Sequence, residues 1–163
     1  GQIIEQMSWN STSTLQKLGM SAMLHDIALD REELAQISDL TDDSYLLLPT
    51  EDKKLVLNHP NEANSMIREI KNFIPDVGDI VLSHHEDPEG TGFPRGLSAL
   101  RITQLSCVFI ISEDFVNQIY LKTHTKESLK EMMESFKDRY SRGNFRKPVE
   151  GIIELIEKKI DEF

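Results

Sequence analysis

Ile102-Thr103-Gln104-Leu105-Ser106-Cys107-Val108-Phe109-Ile110-Ile111-Ser112-Glu113-Asp114-Phe115 is the stretch on which the fold turns. Its apolar run, Cys107 to Ile111, is five residues long, far short of the roughly 20 needed to span a bilayer. With the residues that follow, the pattern predicts a helix from about Ile102 to Leu121. It is the most apolar helix of the chain and so the centre of the core. Downstream, Leu129, Met132, Met133 and Phe136 repeat at helical spacing over Thr125 to Tyr140, with Gly143 as a stop. Pro148 at a first helical position begins a last helix, whose stripe is Ile152, Ile153, Ile156 and Ile160.

Upstream, Leu15 to Ile27 reads as a helix with Leu15, Leu18, Ala22 and Ile27 near one face. Asp30 to Tyr45 reads as a connection containing a short helix. Thr50 caps a helix running through Asn58, with Glu51 and Asp52 well placed in its first turn. Pro60 opens a separate helix to about Lys71, and Pro75-Asp76 open one that ends near His85. From Asp87 to Gly96, three glycines and two prolines make a tight loop. Strand-like alternation is nearly absent, and the expected fold class is all-α.

The 163 residues suit one domain with a proper core. A net charge of -10 argues against binding of nucleic acid polymers or anionic membranes. A small anionic substrate is still compatible, because bound divalent cations reverse the local field. The single cysteine, Cys107, excludes an intrachain disulfide and reads as a buried thiol. With no signal peptide or membrane span in view, the expected location is the cytoplasm.

Four of the five histidines fall in three places that also supply acids or sharp turns. His25-Asp26 ends an apolar helix, and adjacent helical residues diverge by about 100°, so the two can reach different partners. An aspartate beside a core face is costly unless paired or metal-bound. His59 precedes Pro60 at a predicted helix junction. His84-His85 precede Glu86 and the loop Glu89-Gly90-Thr91-Gly92-Phe93-Pro94. His124, between two threonines, reads as an ordinary solvated residue. Imidazole with carboxylate suits iron, manganese or zinc. Two ions sharing such ligands stabilise both the attacking and the leaving oxygen of a phosphodiester.

These residues carry a family resemblance. Leu18 to Ile27 resembles the HD motif of the HD-GYP domains, and Asn58-His59-Pro60 resembles their HP motif. His84-His85-Glu86-Asp87-Pro88-Glu89-Gly90-Thr91-Gly92-Phe93-Pro94-Arg95-Gly96-Leu97 resembles their signature stretch. The resemblance implies one HD-superfamily helical bundle over residues 1–163, the C-terminal part of a longer protein whose first HD helix is missing. It implies a centre of two or three divalent metal ions, iron or manganese, and hydrolysis of cyclic di-GMP in bacterial second-messenger signalling. The implied metal ligands are His25, Asp26, His59, His84, His85 and Glu113, with Asp114 as the neighbouring alternative to Glu113. Asp26 is placed to bridge two ions as the catalytic carboxylate, and Arg95 matches a residue that contacts substrate phosphate.

The sequence departs from the family pattern at several places. Ala28 and Leu29 replace a glycine and a lysine, Phe93 replaces the tyrosine of the GYP triplet, Glu89 replaces an aspartate, and Ser98 replaces a basic residue. An expected histidine upstream of His25 is absent from residues 1–24. Two functions follow. One is a metal-dependent phosphodiesterase hydrolysing cyclic di-GMP. The other is a degenerate domain that keeps metal and acts as a cyclic-dinucleotide sensor, or docks diguanylate cyclase (GGDEF) domains through its Gly90–Leu97 loop.

Overall fold

The computed structural model describes residues 11–121 and 125–161, and every regular element among them is helical. His124 and residues 1–10 lie outside the described residues. In chain order the elements are α1 (Thr12–Leu24), α2 (Glu32–Ala35), α3 (Asp43–Leu46), α4 (Thr50–Arg68) and α5 (Pro75–Ser83). They continue with α6 (Gln104–Leu121), α7 (Lys126–Arg139), a 3-10 turn (Gly143–Phe145) and α8 (Arg146–Asp161). None is long and apolar enough to cross a membrane.

The stretch from Ile102 to Phe115 holds the central position that its composition requires. Cys107, Val108, Ile110 and Ile111 on α6 pack with Leu129, Met132 and Phe136 of α7 and with Ile152, Ile156 and Ile160 of α8. Burying each of these large side chains contributes about 1.5–3 kcal/mol. A second apolar cluster, Ala63 and Ile67 of α4 with Val77 and Val81 of α5, is roofed by Met20 and Leu24 of α1. A third joins Leu34, Ile37 and Val56 to Phe93 of the glycine-rich loop. The second and third clusters fix α1, α4, α5 and the loop relative to one another, and these are the elements that carry the histidines.

Several local readings need correction. Pro60 does not start a helix: α4 runs unbroken from Thr50 to Arg68 with Pro60 buried inside it. A proline in a helix interior lacks the N–H that would bond the carbonyl four residues back, here that of Val56. That carbonyl accepts the ring Nδ1–H of His59 instead, at 2.7 Å, so no acceptor is left bare. The connection from Asp30 to Tyr45 holds two short helices, α2 and α3, the latter capped by Asp42 through Ser44 N–H. Helix α1 begins at Thr12, with Ser11 accepting from Thr14 N–H, and stops at Leu24, so that His25 is its C-cap. The helix was expected to reach Ile27, and its early stop matters for the site.

Gly143 follows α7 at φ +52° with its Cα against Ala99, where an added Cβ would lie 2.7 Å from the Ala99 backbone. Pro148 is the third residue of α8 and not the first. The first turn leaves its N–H groups without intrahelical partners, so proline fits there equally well.

Candidate metal centre

His25, His59 and His84 share one local device. Each directs its ring Nδ1 at the carbonyl three residues earlier: Ala22 at 3.1 Å, Val56 at 2.7 Å and Val81 at 2.6 Å. Those carbonyls are free to accept because α1 ends at Leu24, Pro60 interrupts the ladder of α4, and α5 ends at Ser83. A proton held on Nδ1 leaves Nε2 as a bare lone pair, and the backbone bond fixes the direction of the ring.

The bare nitrogens converge. His59 Nε2 lies 3.0 Å from His84 Nε2, 3.2 Å separates it from Asp26 Oδ1, and His84 Nε2 is 3.7 Å from the same oxygen. Asp26, His59, His84 and His85 can each aim one ligand atom so that all four lie within 4.8 Å of one another. His85 Nε2 and Asp26 Oδ1 are buried without a hydrogen-bond partner. Several acceptors facing one another with no donor between them are repulsive, and buried polar groups are normally satisfied. A cation in their midst removes both problems. The donor set of three imidazoles and one carboxylate fits a first-row transition metal.

The other carboxylate oxygen of Asp26 faces a different group. Oδ2 is 3.2 Å from His25 Nε2, which lies 3.8 Å from Glu113 Oε1. Asp26 thus stands between two donor sets. Burial opposes its charge, but hydrogen bonds from His25, His59 and His84, made when these rings carry a proton on Nε2 in the absence of a cation, outweigh that and hold its carboxyl far below the usual range. Burial pushes the Glu113 carboxyl up to about 7. It also lowers the affinity of His84 and His85 for protons, and for His85 the neighbouring imidazoles add to the effect. For His25 burial pulls the same way, but Asp26 and Glu113 prevail and raise it.

The structure also separates the two adjacent acids of α6. Glu113 turns toward His25, whereas Asp114 is engaged by Tyr140 O–H at 2.6 Å, Gln118 Nε2 at 2.9 Å and Arg139 Nη1 at 3.3 Å. Arg95 donates through Nη2 to Ser83 Oγ at 2.8 Å, and its Nε is 3.8 Å from Glu86 Oε1. A cavity of about 530 Å³ opens on His84, His85, Phe93 and Glu113, and Arg139 lines it where Arg95 does not. Phe93 is buried and stacks on His85, with ring centres 4.4 Å apart at 19°. Leu29 packs into the apolar cluster that contains Phe93.

Glu86 has a positioning role that the sequence reading missed. Fully enclosed, it accepts from Arg95 N–H at 2.9 Å and Leu97 N–H at 2.6 Å, and so clamps the far limb of the loop. A carboxylate directly after the histidine pair and before a glycine-rich turn was the available signal. Gly92 is required by close approach, since an added Cβ would lie 2.4 Å from the His85 carbonyl oxygen. Together Glu86 and Gly92 press the loop onto His85.

A cyclic di-GMP phosphodiesterase of Pseudomonas aeruginosa is 30% identical to this chain over 95 residues. The aligned stretch is 56% of this chain and 21% of that protein, so the chain spans about a fifth of its relative's length. No solved structure matches the chain. The HD domain family matches residues 2–142, a span that takes in every residue of the buried histidine–aspartate cluster. By that match, and in an all-helical fold with the cluster in its interior, the chain belongs to the HD domain family.

Proposed function

We propose that this domain is a metal-dependent phosphodiesterase of the HD-GYP type that hydrolyses cyclic di-GMP. The observation that carries the proposal is Asp26, whose two oxygens face two histidine-containing donor sets, one buried and the other partly exposed. His59, His84 and His85 with Asp26 Oδ1 would hold one ion, and His25 and Glu113 with Asp26 Oδ2 a second, iron or manganese being the metals proposed. Bound there, two such ions supply Lewis acidity and a nucleophilic water near neutral pH.

The chain's own residues do the rest. The backbone carbonyls of Ala22, Val56 and Val81 hold the proton of each neutral imidazole on Nδ1, aim its Nε2 inward and make it a more basic ligand. Phe93, lying flat on His85, excludes water from one side of the cluster and locks that ring. The cavity beside His84 and His85 lies within the range of small-molecule sites, about 300–1,000 Å³. The name of the Pseudomonas aeruginosa relative supports a cyclic dinucleotide as the substrate.

The test begins with elemental analysis of the purified protein, with His84→Ala as control. Two ions lost in that variant, with cyclic di-GMP turned over by the parent, is the expected result. A metal-free protein of unchanged fold would overturn the reading.

One observation favours a second reading, a domain that retains metal and senses or docks without turnover. Leu29 stands where the family pattern has lysine and is absorbed into an apolar cluster, so it offers no charge to a phosphodiester. Metal-loaded protein that binds cyclic di-GMP without hydrolysing it, and gains turnover with Phe93→Tyr, would decide for this alternative.

A further inference from the structure

We infer that Arg139 is the anion-binding residue of the cavity beside the metal centre, holding a phosphate group of the substrate that does not sit on the metals. The inference rests on the phosphodiesterase reading above and names the contact that reading lacks. The residues that line the cavity include His84, His85 and Glu113 of the candidate centre, and among the described residues Arg139 is the one lysine or arginine in that lining.

Its guanidinium is held ready. Arg139 Nη1 donates to Asp114 Oδ2 at 3.3 Å, and the group lies 5.3 Å from the centre of the Tyr140 ring. Asp114 is itself fixed from two sides, by Tyr140 O–H and Gln118 Nε2. A guanidinium has five donors in a planar fork. Here one hydrogen bond, to Asp114, is made and the side chain is half exposed. Asp87 and Glu89 act on its charge without a hydrogen bond, so donors of the fork are open to a ligand that competes with these acids. That fork matches the oxygens of a phosphate group.

Two basic positions of the family pattern supply no charge to the cavity: one is Leu29, which is apolar, and the other, Arg95, is tied to Ser83 and Glu86 and lies outside the lining. The cavity's acids, among them Asp39, Asp87 and Glu89, make its field negative. An anion is therefore held only where Arg139 and the metal charge act together. A cyclic dinucleotide has two phosphates, one for the metals and one for Arg139.

The test titrates inorganic phosphate into manganese-loaded protein by calorimetry, with Arg139→Gln and Arg139→Lys beside the parent. The Gln variant should bind phosphate at least about tenfold more weakly, the loss of a charge-assisted hydrogen bond, with manganese stoichiometry unchanged. The Lys variant keeps the charge and loses the fork, so it falls between the two, and it serves if the Gln variant fails to fold. Equal phosphate affinity in the parent and in the folded variants overturns the assignment. With cyclic di-GMP, Arg139→Gln should raise KM by a similar factor and leave kcat nearly unchanged. A parent that ignores cyclic di-GMP, with Arg139-dependent phosphate binding intact, would sink the substrate reading and leave the anion site standing.

Discussion

Replacing Pro60 with alanine should weaken metal binding without weakening the fold. The proline denies Val56 its helical donor, and the freed carbonyl holds His59 Nδ1–H at 2.7 Å. Alanine restores the N–H, which competes for the same carbonyl and releases the imidazole to rotate or change tautomer. On stability, a proline in a helix interior is about 3 kcal/mol worse than alanine. Against this, two buried ring methylenes are lost at about 0.8 kcal/mol each. The unfolded chain also regains backbone freedom, worth about 0.4–1 kcal/mol. The balance is a change within about 1 kcal/mol, with a slight gain favoured. On metal binding, loss of a partner that orients a ligand typically costs about 10–100-fold in affinity. Urea denaturation of metal-free protein and a chelator-competition titration with manganese would measure the two effects separately. Pro148→Ala, in the first turn of α8 and away from the site, is the control. Metal affinity unchanged within about threefold in Pro60→Ala, well below that range, would refute the tautomer argument.

The other predictions concern single groups. Glu113 has a folded pKa of about 7 against an ordinary value of 4.5, so its contribution is present below the unfolded value and is lost as pH rises through about 7. Thermal melts of metal-free protein should show up to about 3 kcal/mol of stability lost over that window and restored by Glu113→Gln. Glu86→Ala strands the Arg95 and Leu97 N–H groups and should cost about 3–5 kcal/mol in urea denaturation, from two charge-assisted bonds. Burial raises the Cys107 thiol to about 12, so a thiol-reactive dye should label it only after denaturation. Ile152→Ala, at a fully buried position of α8, should destabilise by about 2–5 kcal/mol without altering metal content.

Much of the architecture follows from periodicity. The helices around Phe109, Phe136 and Ile156 were legible because their apolar residues recur at helical spacing, and each stripe is now the packed face of α6, α7 or α8. The helix boundaries at Pro60 and Ile27 were not. A proline signals a helix start only through local propensity, and here burial of α4 against α5 overrode that preference. The stop of α1 at Leu24 has no glycine or proline to announce it, since the C-cap is His25 itself, bonded to the Ser21 carbonyl.

By itself, the sequence determined the residue types able to ligate metal, their order along the chain and the helical class of the elements bearing them. Side-chain chemistry and helical spacing are local properties, readable a few residues at a time. Only the tertiary structure decided that Asp26 at the end of α1, His59 inside α4 and His84-His85 after α5 meet around one point. It also decided that Glu113 turns inward while Asp114 is taken by Tyr140, and that Arg139 reaches the cavity while Arg95 does not. Those outcomes depend on how α1, α4, α5 and α6 pack, and packing is fixed by the shapes of buried faces far apart in the chain.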